Sequence, residues 1–458
     1  MQVPRSPLTE GSIRRNISAL AGPLALSSVL MGGVSMIEAW MVGHLGKEAI
    51  AAGGMSRQMM MILLMVGGTV STGTTALVAR YVGGGKWEQA RQVTNQSFLF
   101  ILVLCLTVLT PLGWFLSRPL LGLLGAAPEV VELGVPYLRL NFAGLAVGLT
   151  AFVMSASLRG AGDAQTPLRV NLLTNVINVG ADYLFIFGPW GLPRWGLNGA
   201  AMGALLARGV AFALLFWILW SGRFVAAFDR TRGWRFNYSL IGRIFRIGLP
   251  ASLDGLILNA FGIGLLRLIA RTKEGTSAVS AYLIAMQVRN LATWVSHGFQ
   301  SAATTLVGQN LGADKPERAA ACGWEAAKLT VLWMAGMGTL FFLFPRPLIA
   351  LFIRGDKGAD EVIAMGVQFM RINAFALPLL GLGITLSGGL QGAGDTTSPM
   401  RYSFISQICV GLPLCWFLSR VMGWGTTGIW IGLSVAMLVR GGLATWKFHR
   451  GEWQRIVI

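Results

Sequence analysis

The stretch "LRGAGDAQTP" at residues 158–167 returns 232 positions later as "LQGAGDTTSP" at residues 390–399. Each copy follows an apolar run. Glycine permits a tight backbone turn, aspartate can cap the helix that follows, and proline suits the first turn of that helix. We therefore interpret the two copies as duplicated corners between helices. The corner residues are Gly160, Gly162, Asp163 and Pro167 in the first copy and Gly392, Gly394, Asp395 and Pro399 in the second.

The tetrapeptide "GAGD" inside each copy also fits a pattern found in intramembrane aspartyl proteases. Those enzymes need two aspartates at matching depth in facing spans. Here each copy ends an apolar run, beside Arg159 or shortly before Pro399, and therefore lies near water. No Gly-Lys-Ser/Thr follows either copy, which excludes a phosphate-binding Walker loop. We expect a protein that is not an enzyme.

The composition of the chain predicts a membrane protein. Of its 458 residues, 54% are hydrophobic and 12% are charged, and that charged share is about half the usual globular one. The net charge of +18 comes from Lys and Arg in short connections, which is typical of cytoplasmic loops and not of a nucleic-acid surface. The four cysteines show no CxxC spacing, so we expect neither disulfides nor a metal site.

Twelve apolar runs are long enough to cross a bilayer, since a helix needs about twenty residues to do so. They lie near 17–42, 53–79, 94–116, 134–158, 168–188, 197–220, 240–270, 279–308, 326–344, 362–389, 400–419 and 427–446. The sequence therefore predicts an all-α integral membrane protein of twelve transmembrane helices.

The distribution of Lys and Arg predicts the orientation of these spans. Both termini and the even-numbered connections hold about twenty such residues, against about ten in the odd-numbered connections. We expect both termini to face the cytoplasm. The longest cytoplasmic link divides the chain into an N-lobe at 1–221, a linker at 222–239 and a C-lobe at 240–458.

Further repeats connect the two halves. "YLRLN" at 137–141 matches "FMRIN" at 369–373, and "ALVARYVGGGK" at 76–86 resembles "TLVGQNLGADK" at 305–315. The matches occur in the same order at the same relative spans. They predict two six-helix bundles related by duplication. Because each half has an even number of spans, the pseudo-two-fold axis should lie along the membrane normal, as in many transporters.

Two ionisable residues inside predicted spans are functional candidates, because charge in a bilayer is costly. Glu38 lies toward the end of the first span, and Asp182 lies in the fifth after Asn171, Asn175 and Asn178. The last four positions share one helical face. That face can line a hydrated cavity, although asparagine stripes also join helices. A carboxyl in such a place can exchange protons or hold Na⁺ with amide oxygens. We expect Glu38, Asp182, Asn178 and Asn175 to bind the coupling ion.

Together, "IEAWMVGHLG" at 37–46, "NVINVGADYLFIFG" at 175–188, "LVGQNLGA" at 306–313 and the two corners resemble the multidrug and toxic compound extrusion (MATE) family. The resemblance implies an inner-membrane antiporter that exports hydrophobic organic cations by alternating access. It implies H⁺ or Na⁺ as coupling ion and no other cofactor.

The resemblance also assigns cation coupling to the positions of Glu38 and Asp182. The first is usually Asp in the family and is one methylene longer here. Family members often carry a Thr where this chain has Gly203-Ala204, so one oxygen ligand is absent.

The expected substrate cavity contains acidic residues, methionines and polar residues of the eighth span. Met is adaptable and suits varied ligands, although it also fills lipid-facing surface. Asp254 has the alternative of capping a helix or pairing with an Arg. The cavity residues we expect are Asp182, Met61, Met65, Gln287, Asn290, Trp294 and Asp254.

Two other transport functions stay open at this point. A flippase for a lipid-linked oligosaccharide or polysaccharide precursor would need basic cavity residues for pyrophosphate, for which Arg267 and Arg289 are candidates. A passive channel would not need carboxyls placed in one lobe. We expect lipid and small organic cations as partners, no nucleic acid, and a monomer.

Overall fold

The computed structural model describes residues 7–189, 193–229, 234–353 and 358–456, and these form helices joined by short connections. Twelve straight or bent helices follow the twelve predicted spans in order, which confirms the predicted fold class. They are α1 (Ile13–Gly43), α2 (Lys47–Gly83), α3 (Trp87–Leu123), α4 (Pro128–Ala143 with Leu145–Gly160), α5 (Gln165–Phe187), α6 (Leu197–Trp220), α7 (Tyr238–Ala270), α8 (Gly275–Gly312), α9 (Pro316–Leu343), α10 (Ala359–Ala374 with Leu377–Ala393), α11 (Thr397–Val421) and α12 (Gly425–Arg450).

Most of these helices have the length and composition of membrane spans. In the described part of the chain, nine qualify singly, and α4 and α10 qualify when each bent pair counts as one span. The twelfth, α8, has 38 residues and is long enough to cross. Its polar residues, among them Gln287 and Arg289, lower its hydropathy below that of the other spans.

The bends in α4 and α10 fall at equivalent places in the repeat. The two halves of α4 meet at 44° and those of α10 at 58°. Each bend follows a repeated pentapeptide that ends in asparagine. Asn141 Nδ2 donates to the Tyr137 carbonyl at 3.1 Å, and Asn373 Nδ2 donates to the Phe369 carbonyl at 3.2 Å. The repeat seen in the sequence is therefore also a repeat of local structure.

The first decapeptide forms a tight corner between α4 and α5. Gly162 has a φ of +94°, a value that glycine adopts without strain. Asp163 Oδ1 accepts hydrogen bonds from the backbone N–H groups of Gln165 and Thr166 at 3.1 and 2.9 Å, and so caps α5. Pro167 is buried in the first turn of that helix.

The second decapeptide repeats this corner between α10 and α11. Gly394 has a φ of +93°, and Asp395 accepts hydrogen bonds from the N–H and hydroxyl of Ser398 at 3.0 and 2.7 Å. Gly392 lies so close to α8 that a Cβ there would be 2.1 Å from the Thr304 carbonyl oxygen. Gly160 approaches α2 in the same way, with 2.7 Å to the Thr75 oxygen. These contacts give both glycines a packing role.

The chain forms two compact units whose boundaries lie inside α1 and α7. The N-unit is Leu26–Leu249, and the C-unit is Met1–Ala25 with Pro250–Ile458. The lobes read from the sequence, 1–221 and 240–458, instead divide at the linker. The difference arises because the start of α1 packs in the C-unit, where Arg14 Nε contacts Glu325 Oε1 at 2.5 Å. The start of α7 packs in the N-unit, where a Cβ on Gly248 would be 1.8 Å from the Thr69 oxygen.

The described part of the predicted linker packs against α3 of the N-unit. Asn95 Nδ2 donates to the Asp229 carbonyl at 2.8 Å, and Asn95 Oδ1 accepts from the Asp229 N–H at 3.0 Å. Gln96 Oε1 accepts from the Asn237 N–H at 2.8 Å. Residues 230–233 of the linker lie outside the described ranges. The segments on either side of them are therefore held by side chains of α3.

Candidate functional site

Asp182 is a buried carboxyl in α5 of the N-unit. Its side chain is only 1% exposed. Asn178, one turn earlier on the same helix, donates from Nδ2 to Asp182 Oδ2 at 2.8 Å. Among the described residues, Asp182 Oδ1 has no hydrogen-bond partner. Because a buried carboxylate oxygen without a partner is costly, this atom is a natural place for a proton or a cation.

Close packing of α6 against α5 encloses this carboxyl. A Cβ on Gly203 would lie 2.1 Å from Asp182 Oδ1, and a Cβ on Gly199 would lie 2.4 Å from the Phe185 carbonyl oxygen. Glycine at both positions therefore lets the helix backbones approach closely. The resemblance implied a missing oxygen ligand at Gly203-Ala204. At Gly203 the Asp182 carboxyl occupies the space that a larger side chain would need.

Glu38 on α1 interacts electrostatically with Asp182 and with Tyr137 of α4. It is half-buried, whereas Tyr137 is buried. The structure thus brings together the two carboxyls that the sequence singles out, although they are 144 positions apart in the chain. Two neighbouring carboxylates attract a cation more strongly than either does alone.

Arg208 of α6 is a member of this site that the sequence interpretation missed. Its guanidinium interacts electrostatically with Glu38, Asp182 and Tyr137. Arg208 Nη1 donates to Asn141 Oδ1 at 3.3 Å, directly before the bend of α4. A Cβ on Gly148 would lie 3.0 Å from Arg208 Cδ, so the second half of α4 makes room for the side chain.

A signal for Arg208 was present in the sequence. The residue lies in the middle of a 24-residue apolar helix, and a charge in such a place is a functional candidate by default. Arg57 of α2, which is exposed, also interacts electrostatically with Tyr137. The site therefore has two carboxyls and two guanidinium groups. The carboxyls are the groups to which a proton, a sodium ion or an organic cation can bind.

The other asparagines of α5 have different surroundings. Asn171 Nδ2 donates to Ser27 Oγ at 2.8 Å and so joins α5 to α1. Asn175 is half-buried, and its Nδ2 has no hydrogen-bond partner among the described residues. The polar face of α5 therefore has three different parts. Asn171 joins two helices, the Nδ2 of Asn175 has no partner in the described part of the chain, and Asn178 binds Asp182.

The expected cavity residues on α2 and α8 have intermediate or high exposure. Met61 of the N-unit is 46% exposed, and Met65 is half-buried. Gln287, Asn290 and Trp294 of the C-unit are half-buried. Their part in a substrate cavity stays a prediction.

Asp254 on α7 forms an ion pair within the C-unit. Arg440 Nη2 of α12 lies 3.2 Å from Asp254 Oδ2, and both residues are buried. This pairing is the alternative that the sequence left open for Asp254. It satisfies Oδ2, whereas Asp254 Oδ1 and Arg440 Nε have no hydrogen-bond partner among the described residues. The part of Asp254 in a substrate cavity stays a prediction.

The C-unit repeats the α5–α6 contact without its carboxyl. A Cβ on Gly432 of α12 would lie 2.6 Å from Cys415 Sγ of α11, just as Gly203 faces Asp182 in the N-unit. The offset of 229 from Gly203 to Gly432 also places Met437 where the N-unit has Arg208. The same helix packing therefore carries an acid and a base in one unit and a thiol and a thioether in the other.

Within the described ranges, no group of three or more His, Cys, Asp or Glu side chains is placed to hold a metal ion. The acidic site of the N-unit has two carboxyls. Any cation there would rely on these and on amide or backbone oxygens.

Comparison with known proteins gives concordant results. The MatE family model matches the chain twice, at 23–184 and at 250–417. "Probable multidrug resistance protein NorM" of Thermotoga maritima is 30% identical over 451 residues, with 97% of this chain and 94% of the relative covered. "Multidrug resistance protein NorM" of Burkholderia vietnamiensis is 27% identical, with 94% and 92% covered.

Solved structures share the fold. A MOP superfamily transporter from Pyrococcus furiosus superposes with a TM-score of 0.91 at 22% identity over 100% of both chains. A MATE crystal structure in the straight conformation gives a TM-score of 0.89 at 21% identity, with 99% of this chain and 100% of the other covered. The two matches of one family model confirm the internal duplication. On its sequence and its fold, the chain belongs to the MatE family of multi-pass membrane transporters.

Proposed function

We propose that this protein exports hydrophobic organic cations across the cell inner membrane by alternating access, in exchange for H⁺ or Na⁺. The observation that carries the proposal is the enclosed carboxyl of Asp182 beside Glu38 and Arg208. The equivalent contact in the other unit holds Cys415 and no carboxyl. The multidrug names of the relatives support the substrate class.

The mechanism follows from the two carboxyls of the site. An organic cation and a coupling ion compete for them, because a second positive charge there would be uncompensated in a low-dielectric region. Binding of the coupling ion at Asp182 and Glu38 would therefore release the substrate on the outer side. Loss of the ion on the inner side would restore the site.

The surroundings of Asp182 favour H⁺ over Na⁺ as the coupling ion. Asn178 occupies Oδ2, and the backbone of Gly203 covers Oδ1. A proton needs only one of these oxygens, whereas hard cations prefer several oxygen ligands. Amide oxygens of Asn175 and Asn178 are the ligands that Na⁺ would use.

The experiment is dye efflux from proteoliposomes under separately imposed pH and Na⁺ gradients. We expect the pH gradient to drive efflux and Asp182→Asn to abolish it, with the protein still folded by its Tm. Cation-driven efflux by that variant at the wild-type rate would overturn the proposal. Efflux driven by a Na⁺ gradient alone would support the antiport mechanism and identify Na⁺ instead of H⁺ as the coupling ion.

The flippase alternative has weaker support. Its two candidate bases have different surroundings, since Arg267 is exposed on α7 and Arg289 lies among apolar side chains of the C-unit. The relatives are named for multidrug resistance. We further propose that both termini face the cytoplasm, from the Lys and Arg distribution, and that the protein acts as a monomer.

A further inference from the structure

The asparagine just before the bend of α4 makes two hydrogen bonds of opposite kind. Asn141 Oδ1 accepts from Arg208 Nη1 at 3.3 Å, and Asn141 Nδ2 donates to the Tyr137 carbonyl at 3.1 Å. A guanidinium can only donate and a carbonyl can only accept, so these partners determine the orientation of the amide. The Asn141 side chain is buried. It therefore joins Arg208 to the backbone of α4 at a place shielded from water.

The equivalent asparagine of the C-unit makes only one of these bonds. Asn373 lies 232 positions later and donates from Nδ2 to the Phe369 carbonyl at 3.2 Å, but its Oδ1 has no partner among the described residues. Met437 stands at the position equivalent to Arg208. The bond to the carbonyl thus belongs to the repeated bend. The bond to the guanidinium belongs to the acidic site of the N-unit.

Two glycines of α4 bring its backbone against the same arginine. A Cβ on Gly144, which lies between the two halves of α4, would be 3.4 Å from Arg208 Nη1. A Cβ on Gly148 would be 3.0 Å from Arg208 Cδ. The outer part of the arginine side chain therefore packs on α4, whereas Asp182 lies on α5.

Arg208 is close enough to both carboxyls to act on them, yet it pairs with neither. It interacts electrostatically with Glu38 and Asp182. Within the described ranges it forms no ion pair with either of them, and Asp182 Oδ1 has no hydrogen-bond partner. Arginine and carboxylate form strong, often bidentate pairs when they can meet. The separation therefore implies a restraint on the arginine, and Asn141 is the side chain that binds it.

We propose that Asn141 is a positioning residue that prevents Arg208 from neutralising the carboxyls of its own site. Held on α4, the guanidinium leaves these carboxyls free for the coupling ion or an organic cation. Without the amide, the acceptors that remain for Arg208 in the site are the two carboxylates. The inference rests on the proposed function, because it concerns the same carboxyls.

The expected pH effect follows from the ionisable groups around Arg208. They are Glu38 on α1, Tyr137 on α4 and Asp182 on α5, and the exposed Arg57 on α2 acts on Tyr137. A guanidinium that approaches a carboxylate favours the ionised form. Release of Arg208 should therefore shift proton binding to lower pH. It should also weaken the binding of an organic cation, which then competes with the arginine.

The test is the Kd of ethidium, a permanently charged organic cation, for the purified full-length protein in detergent across a pH series. In the wild type we expect the Kd to rise as the pH falls, because protons and dye compete for the carboxyls. In Asn141→Leu the midpoint of this rise should fall by about one pH unit, the lower end of the effect of a neighbouring opposite charge. The Kd at high pH should rise about tenfold, which corresponds to the same free-energy difference.

Asn373→Leu is the matched control for the bend. It removes the same kind of bond to a helix carbonyl at the equivalent place but no bond to a guanidinium. We expect it to retain the wild-type midpoint. The double variant Asn141→Leu with Arg208→Met removes the restraint and the arginine together. Its midpoint should equal that of Arg208→Met alone and lie above the wild-type value, because Asn141 acts through Arg208.

The outcomes separate this inference from the proposed function. A wild-type Kd that responds to neither H⁺ nor Na⁺ would contradict the proposed function itself. If Na⁺ is the competing ion, the same comparison is made by Na⁺ titration, and Asn141→Leu should need more Na⁺ to release the dye. A normal wild-type response with an unchanged midpoint in Asn141→Leu would overturn the inference alone, as would an equal shift in Asn373→Leu. If Asn141→Leu does not fold, Asn141→Ser decides, because a serine hydroxyl can still bond the Tyr137 carbonyl.

Discussion

Asp182 of α5 and Gly203 of α6 touch so closely that a Cβ on the glycine would lie 2.1 Å from the aspartate Oδ1. The contact fixes the carboxyl against the backbone of the neighbouring helix. It also means that the chemistry of the site depends on a residue with no side chain. Glycine is needed at position 203 because the Asp182 carboxyl has no other room, in addition to its part in helix packing.

Gly203→Ala should therefore impair coupling. The added methyl group must displace the Asp182 carboxyl, and overpacking of this kind costs about 1–3 kcal/mol of stability. We expect a lower Tm and a loss of pH-driven dye efflux in proteoliposomes. Gly180→Ala on α5 is the matched control, because a Cβ there meets nothing within 4 Å. Normal efflux by Gly203→Ala would show that the contact is irrelevant to coupling.

The sequence predicted the helices, but it did not predict the contact between Asp182 and Gly203. Apolar runs and the duplicated corners follow from local composition, and all twelve runs became helices. The choice of Glu38 and Asp182 as candidates followed from the cost of charge in a bilayer. The approach of Gly203 to Asp182 depends on how α5 and α6 pack, which periodicity alone does not reveal. Arg208 was missed although the rule that selected the two carboxyls applied to it as well.

Unit boundaries show a similar limit. A long polar link suggested a division at 222–239. The structure places the boundary at Ala25 and Leu249, inside two continuous helices. Hydropathy marks where a helix begins and ends, but it does not tell against which partners each part of the helix packs.

Arg208 should set the pH range of transport. Removing its charge leaves the two carboxyls with less compensating positive charge, which favours their protonated forms. In Arg208→Met, which copies the residue of the other unit, we expect the pH of half-maximal efflux to rise. Arg208→Lys retains the charge and should restore much of the wild-type pH profile. An unchanged profile in Arg208→Met, measured as efflux rate against pH, would contradict a role for Arg208 in the charge of the site.

The ion pair of Asp254 and Arg440 should matter for stability and not for coupling. Removing one partner of a buried pair leaves an uncompensated charge and costs about 3–5 kcal/mol. We expect Asp254→Leu to lower the Tm strongly and the double variant Asp254→Leu with Arg440→Leu to recover most of the loss. The recovered double variant should still export dye under a pH gradient. Loss of that export in a stably folded double variant would place Asp254 in the transport mechanism.

The two corner aspartates should contribute alike, because Asp163 and Asp395 accept the same kind of capping hydrogen bonds in the two repeats. Replacing a capping side chain by Ala costs about 1 kcal/mol. We expect Asp163→Ala and Asp395→Ala each to lower the Tm by a few degrees, with the pH dependence of efflux unchanged in both. Asp360→Ala removes an exposed ion pair with Arg346, whose atoms lie 3.9 Å apart, and should change the Tm much less, because such surface pairs contribute little. A shifted pH profile in either corner variant would show that the "GAGD" motif takes part in transport. If both variants lose only thermal stability, and by similar amounts, the chemistry of transport belongs to residues that the two repeats do not share.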